Sequence, residues 1–167
     1  TNTKFGLTDF EGNVVFQSKI KTRGNGSFPK YITKLAEAIH IGKSESAPEA
    51  DIIGVGVGAP NANYYRGTIE HAPNLEWKGI VPLVDTLKTH FDVPVIVTND
   101  ANAAAMGEMI YGNAKELKDF IMITLGTGLG SGIVCGGRLV HGHDGFAAEI
   151  GHVTVNPNGR LCGCGKR

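Results

Sequence analysis

Near the C-terminal end of this 167-residue chain, Glu149-Ile-Gly-His152 is followed, after nine intervening residues, by Cys162-Gly-Cys164. Imidazole and thiolate are the usual protein ligands of zinc, so a histidine and two closely spaced cysteines make most of a tetrahedral site. Structural zinc normally takes four ligands, and only three are present, so the site reads as incomplete. Imidazole has two nitrogens. His152 can therefore ligate a metal through one and face a ligand through the other, beside the Glu149 carboxylate. Two further segments carry residue types that chemistry needs. In Val97-Thr-Asn99-Asp100-Ala-Asn102, Asp100 suits a helix N-cap and equally a general base for a substrate hydroxyl. In Leu125-Gly126-Thr127-Gly128-Leu129-Gly130-Ser131-Gly132, the glycines would let backbone N–H groups cradle phosphate oxygens, or simply form a tight hairpin without a ligand. No Gly-Lys-Ser/Thr follows, so this is not a P-loop, and a strand rather than a helix comes next, which makes it a poor dinucleotide fingerprint. His141 and His143 read as ordinary surface or core histidines, and Cys135 as a small core residue in an apolar strand.

Such loops need strands that end at them. Lys4 to Asp9 and Val14 to Thr22 read as strands joined by a turn, and Phe28 to Ile41 has apolar residues at helical spacing. Asp51 to Val57 reads as a buried strand, Tyr64 to Glu70 as a short hairpin arm, Val81 to Phe91 as an amphipathic helix and Pro94 to Thr98 as a second buried strand. Asn99-Asp100 opens an alanine-rich helix, Ala101 to Tyr111, ended by Gly112. Phe120 to Leu125, Gly132 to Val140 and His152 to Val155 read as strands. Strands alternating with helices imply a mostly parallel sheet with its ligands at strand ends. A charged connector over residues 112–119 places the expected boundary between an α/β domain of residues 1–115 and the start of a second domain, residues 116–167.

Composition narrows the class. Sixteen basic residues balance sixteen acidic ones, which gives no electrostatic footprint for nucleic acid or an anionic membrane. The apolar runs are short and broken by glycine, far below membrane-spanning length, and the first residues show no signal peptide. Three cysteines, two of them in Cys-x-Cys, suit a reducing compartment and metal binding, with the cytoplasm as the expected location. Glycine is the one unusual count, at 24. Its placement at the ends of apolar segments favours close ligand approach.

Taken together, these segments resemble the ROK family of sugar kinases and sugar-responsive repressors, within the actin-like ATPase superfamily. Thr1-Asn-Thr-Lys-Phe-Gly6 looks like the second half of that family's first phosphate loop. Asn99-Asp100, Leu125-Gly-Thr-Gly-Leu-Gly130 and Glu149-x-Gly-His152 match family motifs in the expected order, and Gly159-Arg-Leu-Cys162-Gly-Cys164-Gly165 matches the start of its zinc motif. The resemblance implies an α/β chain with the actin-like (ribonuclease H-like) fold, one domain plus the start of a second. It implies an ATP-dependent hexose kinase, most similar to glucokinases, in which Asp100 is the general base and Asn99, Asp100, Glu149 and His152 bind the sugar. Thr1, Asn2, Thr3, Lys4, Gly126, Thr127, Gly128 and Gly130 would hold the phosphates of ATP with Mg²⁺, and His152, Cys162 and Cys164 a structural Zn²⁺ that fixes the sugar-binding loop. A homodimer or higher homo-oligomer is implied as well. The rival expectation is a sugar-sensing repressor with a DNA-binding domain upstream. A small zinc-dependent interaction module ranks lower, because it leaves the Asn99-Asp100 and glycine-rich loops unexplained. The family's aspartate and paired glycines before Thr1 are absent, as are its third zinc cysteine and the glutamate after it. The chain is therefore expected to be truncated at both ends, inactive by itself, and weak in zinc binding.

Overall fold

The computed structural model describes residues 2–126 and 128–167. Thr1 and Thr127, two of the expected phosphate ligands, lie outside the described residues. The chain divides into two compact units, Thr1–Thr98 and Asn99–Arg167, so the boundary expected after residue 115 falls inside the second.

In the first unit, β1 (Asn2–Thr8) and β2 (Val14–Lys21) form an antiparallel pair, with Asn2 opposite Lys21 and Thr8 opposite Val14. Asp9 shapes the turn between them: its carboxylate accepts from the Asn13 side chain (2.8 Å) and from the Asn13 and Glu11 backbone N–H groups. Helix α1 (Phe28–Ser46) starts after Ser27 with a proline in its first turn and buries Phe28, Tyr31, Ile32 and Ala36. Proline is favoured there because the first helical N–H groups have no partner in any case. Strand β3 (Val55–Gly58) pairs in parallel with β7 (Val95–Thr98). Between them come a small antiparallel sheet of β4 (Ala62–Asn63), β5 (Thr68–Glu70) and β6 (Ile80–Val81), and the short helix α2 (Leu83–Lys88). The unit's core joins Ile32 and Ala36 of α1 to Ile69, Val81, Leu83, Leu87, Phe91, Val95 and Val97.

In the second unit, α3 (Asp100–Ile110) is followed by β8 (Phe120–Leu125), β9 (Leu129–Cys135) and β10 (Arg138–Leu139), an antiparallel sheet in the order β10-β9-β8. A 3₁₀ turn, Ile150–His152, completes the unit. No helix among the described residues is long and apolar enough to cross a membrane.

Several expectations are corrected. The sheet was expected to be mostly parallel, but among the described strand pairs only β3 with β7 is parallel. The reason is linker length: a turn of a few residues, as between β8 and β9, can only reverse the chain, whereas a parallel neighbour needs a long crossover. His152 to Val155 is not a strand. Val153 and Val155 are exposed, and β-branched residues extend a sheet only where a neighbouring strand packs against them. Cys135 is exposed rather than core. The Asp119 carboxylate beside it pushes its thiol above the ordinary range, first through a side-chain hydrogen bond and then through charge.

Candidate functional site

The alanine-rich helix is capped by Asn99, not by Asp100. Asn99 has extended backbone (φ −60°, ψ 147°), and its Oδ1 accepts the Ala101 N–H at 2.9 Å. Asp100 is the first helical residue and is exposed; its Oδ1 also accepts from Ala101 N–H, at 2.9 Å. Because the neighbouring asparagine supplies the cap, the structural reading of Asp100 loses its main support. Its carboxylate stands at the positive end of α3, where negative charge is favoured.

The glycine-rich segment forms the β8–β9 hairpin, with Leu125 opposite Leu129, and its glycines serve different purposes. A Cβ on Gly132 would stand 2.7 Å from Ala105 Cβ and 3.0 Å from the Ala101 carbonyl oxygen, and one on Gly130 would stand 3.2 Å from Ala101 Cβ. These two glycines let α3 lie directly on β9, with Ala101 and Ala105 fully buried against the strand. Gly126 and Gly128 are exposed at the turn, and a Cβ on either would meet nothing within 4 Å. That leaves room for a ligand against the backbone, although the Gly126 N–H itself closes the turn by donating to the Gly128 carbonyl at 3.0 Å. Of the phosphate ligands expected here, Gly126 and Gly128 keep that reading, whereas Gly130 answers first to packing.

Successive residues of a strand face opposite ways, so Leu129 and Ser131 face away from α3, and the third motif meets β9 on that side. Ser131 is buried; its hydroxyl donates to the Ala148 carbonyl and accepts the Ile150 N–H at 3.4 Å. Gly151 sits so close to the Leu129 carbonyl that a side chain could not fit. Ala148 takes a left-handed φ of 66°, uncommon for a residue with a side chain.

Within this segment, His152 lies between two partners. Its Nδ1 is 3.8 Å from Cys162 Sγ, and its Nε2 is 3.9 Å from Glu149 Oε2. The candidate ligand atoms of His152, Cys162 and Cys164 all lie within 4.8 Å of one another. Zinc with bonds of about 2.0–2.3 Å holds tetrahedral ligands roughly 3.5 Å apart, so this donor set fits the ion after drawing in by about an ångström. The Cys164 backbone N–H and side chain hydrogen-bond Cys162 and hold its thiol below the ordinary range, toward the thiolate that binds metal. His152 thus turns Nδ1 toward the Cys162 sulfur and Nε2 toward Glu149.

At the other expected phosphate loop, Asn2 and Lys4 are on the exposed face of β1. The Thr3 hydroxyl is turned inward instead, hydrogen-bonded with Thr22 Oγ1 at 2.9 Å and Tyr31 Oη at 2.5 Å. It ties β1 to the residue that follows β2 and to α1, which leaves Asn2 and Lys4 as the available groups. Two residues stand out that the sequence reading passed over. One is Ser131. The other is Asn102, buried with its Oδ1 lacking a hydrogen-bond partner among the described residues; its place two residues after Asp100 was the available signal. His143 is exposed and paired with Asp144 at 2.6 Å, consistent with an ordinary surface histidine.

A mixed α/β architecture, a glycine hairpin on an alanine helix, and a Glu-x-x-His turn beside two cysteines accompany the actin-like ATPase fold. The chain belongs to the ROK family, whose model matches residues 1–167. It is 40% identical over 168 residues to a glucokinase of Streptomyces coelicolor, an alignment covering 100% of this chain and 51% of that protein. It is 35% identical to a xylose repressor of Caldicellulosiruptor bescii, over 95% of this chain and 40% of the repressor. Among solved structures, a ROK family glucokinase from Streptomyces griseus in complex with glucose and AMPPNP superposes with a TM-score of 0.78 at 39% identity, covering all of this chain and 52% of that one. The chain spans about half the length of these glucokinases.

Proposed function

We propose that the full-length protein is an ATP-dependent hexose kinase, with glucose as the first candidate substrate and Asp100 as the general base. The observation that carries this reading is a convergence on Leu129–Gly132. Gly130 and Gly132 receive α3 just behind Asp100, Leu129 and Ser131 receive the Glu149–His152 segment, and the open Gly126–Gly128 turn precedes them all. The residues proposed as base and sugar-binding pair thus both pack on four consecutive residues of one strand, just after the proposed phosphate turn.

Phosphoryl transfer to an alcohol needs mainly positioning and charge stabilisation. Asp100 would accept the proton of the attacking sugar hydroxyl. Asn99, whose Oδ1 is engaged by the cap, would donate to the sugar through its amide nitrogen, and Glu149 and the Nε2 side of His152 would bind neighbouring hydroxyls. Gly126 and Gly128 would contact the phosphates of the substrate ATP, and Mg²⁺ would neutralise charge on them. Zinc at His152, Cys162 and Cys164 would brace the sugar segment. The similarity to a glucokinase seen with glucose and AMPPNP supports this choice of substrates. The free cysteines suit a reducing, cytoplasmic setting, and a homo-oligomer accompanies the family reading.

The test is Asp100→Asn in the full-length protein with glucose and ATP. Loss of a general base removes about 10²–10⁴ of the rate, so turnover should fall by that factor while glucose binding persists. Normal turnover in Asp100→Asn would remove the base assignment. A second reading, a sugar-sensing repressor, is favoured by the similarity to the xylose repressor. Sugar-released binding of operator DNA by the full-length protein, with no phosphorylation of any hexose, would establish it instead.

A further inference from the structure

We propose that Ser131 is the positioning residue of the sugar-binding segment, and that its hydroxyl sets the spacing of Glu149 and His152. This rests on the reading of those two side chains as sugar ligands. Glu149 and His152 are both half exposed, and among the described residues their side chains have their own 3.9 Å approach and the Cys162 sulfur beside His152 to hold them. What is held is the backbone. Ser131 bridges the residues on either side of Glu149, donating to the Ala148 carbonyl and accepting at 3.4 Å from the Ile150 N–H, which also donates to that carbonyl at 2.9 Å. Gly151 is pressed to the Leu129 carbonyl two residues earlier on the same strand.

The bridge also accounts for the left-handed Ala148. An alanine at a φ of 66° persists only where its surroundings over-determine it, and here the carbonyl of that residue is the one Ser131 captures. Turning at Ala148 brings the Ile150 N–H onto the Ala148 carbonyl at 2.9 Å and within 3.4 Å of the Ser131 hydroxyl oxygen, and leads into the 3₁₀ turn that carries His152. One buried hydroxyl thus acts as donor and acceptor at once. It fixes where Glu149 leaves the chain and where His152 begins. Because Ser131 lies on the strand that follows the phosphate turn, the same peptide segment links the two substrate positions without touching either substrate.

The experiment compares wild type, Ser131→Ala and Ser131→Thr as full-length holoenzymes, by glucose and ATP kinetics and by hydrogen exchange at the Ile150 amide. Ser131→Ala should raise the KM for glucose about tenfold, as expected for losing a buried hydrogen bond. The KM for ATP should stay within about twofold, and the Ile150 amide should exchange faster. Ser131→Thr, which keeps the hydroxyl, should recover the glucose KM. A folded Ser131→Ala with an unchanged glucose KM, or with glucose and ATP affected equally, overturns the proposal, as does unaltered exchange at Ile150. A wild-type protein that neither binds nor phosphorylates a hexose would instead sink the kinase reading. The exchange measurement would still report on the clamp in that case, so the two failures are distinguishable.

Discussion

Replacing Gly132 by alanine separates packing from ligand binding within one glycine-rich segment. The new Cβ would stand 2.7 Å from Ala105 Cβ, 3.0 Å from the Ala101 carbonyl oxygen and 3.3 Å from Asn102 Cα. Non-bonded carbons settle at about 3.5–4.0 Å, so α3 must retreat from β9 by roughly an ångström. A rotamer change cannot relieve this, since two of the three neighbours are backbone and the third is an alanine. Overpacking of this kind costs about 1–3 kcal/mol. The displaced helix carries Asp100 at its first position, and an ångström of misplacement at a reacting group costs about 100-fold in rate. Gly128→Ala is the matched control: its Cβ meets nothing within 4 Å, so stability should hold while the KM for ATP rises. Urea denaturation and coupled kinase assays on the full-length protein read both effects. A Gly132→Ala protein with wild-type stability and turnover would refute the packing of α3 on β9.

Other consequences are open to direct measurement. Cys162→Ser should lower the zinc content per chain and raise the glucose KM, because His152 loses the sulfur 3.8 Å from its Nδ1; metal analysis showing unchanged zinc would remove this site. Burial holds the His141 imidazole below its ordinary range. A base with a depressed folded-state pKa contributes stability that is present above the ordinary histidine value of about 6.5 and lost as pH falls through the folded value. The urea midpoint should therefore fall from pH 7 to pH 5, and fall less in His141→Gln; identical slopes would contradict the cause. Asp100→Asn and Ser131→Ala complete the set, the first acting on turnover and the second on glucose affinity.

The elements of this chain were legible where the local signal is strong. Short segments rich in apolar and β-branched residues mark β1, β2 and β8, and helical spacing with a proline near the start marks α1. The alanine run after Asn99 marks α3. Short apolar segments were misjudged at their edges. The strand expected from Asp51 begins only at Val55, where β7 supplies a partner. The arm expected over Tyr64–Glu70 is a turn leading into the three residues of β5, because the Asn63 side chain caps the Tyr65 and Arg66 N–H groups.

In the site, residue type and spacing were enough to select His152, Cys162 and Cys164, because metal ligands are few in kind and these lie close along the chain. The same holds for Asn99-Asp100 as a pair at the end of a strand. Which of the two caps the helix was not decided by sequence, since both side chains can accept the same N–H, and only the backbone conformation assigns the task to Asn99. Likewise nothing in a row of alternating glycines distinguishes Gly126 and Gly128, which face open space, from Gly130 and Gly132, which face a helix. That difference exists only once α3 lies across β9. Ser131 was invisible for the same reason. Its role depends on two backbone groups that are 17 and 19 residues away in sequence, and a serine among glycines carries no local mark of a partner that the tertiary fold brings to it.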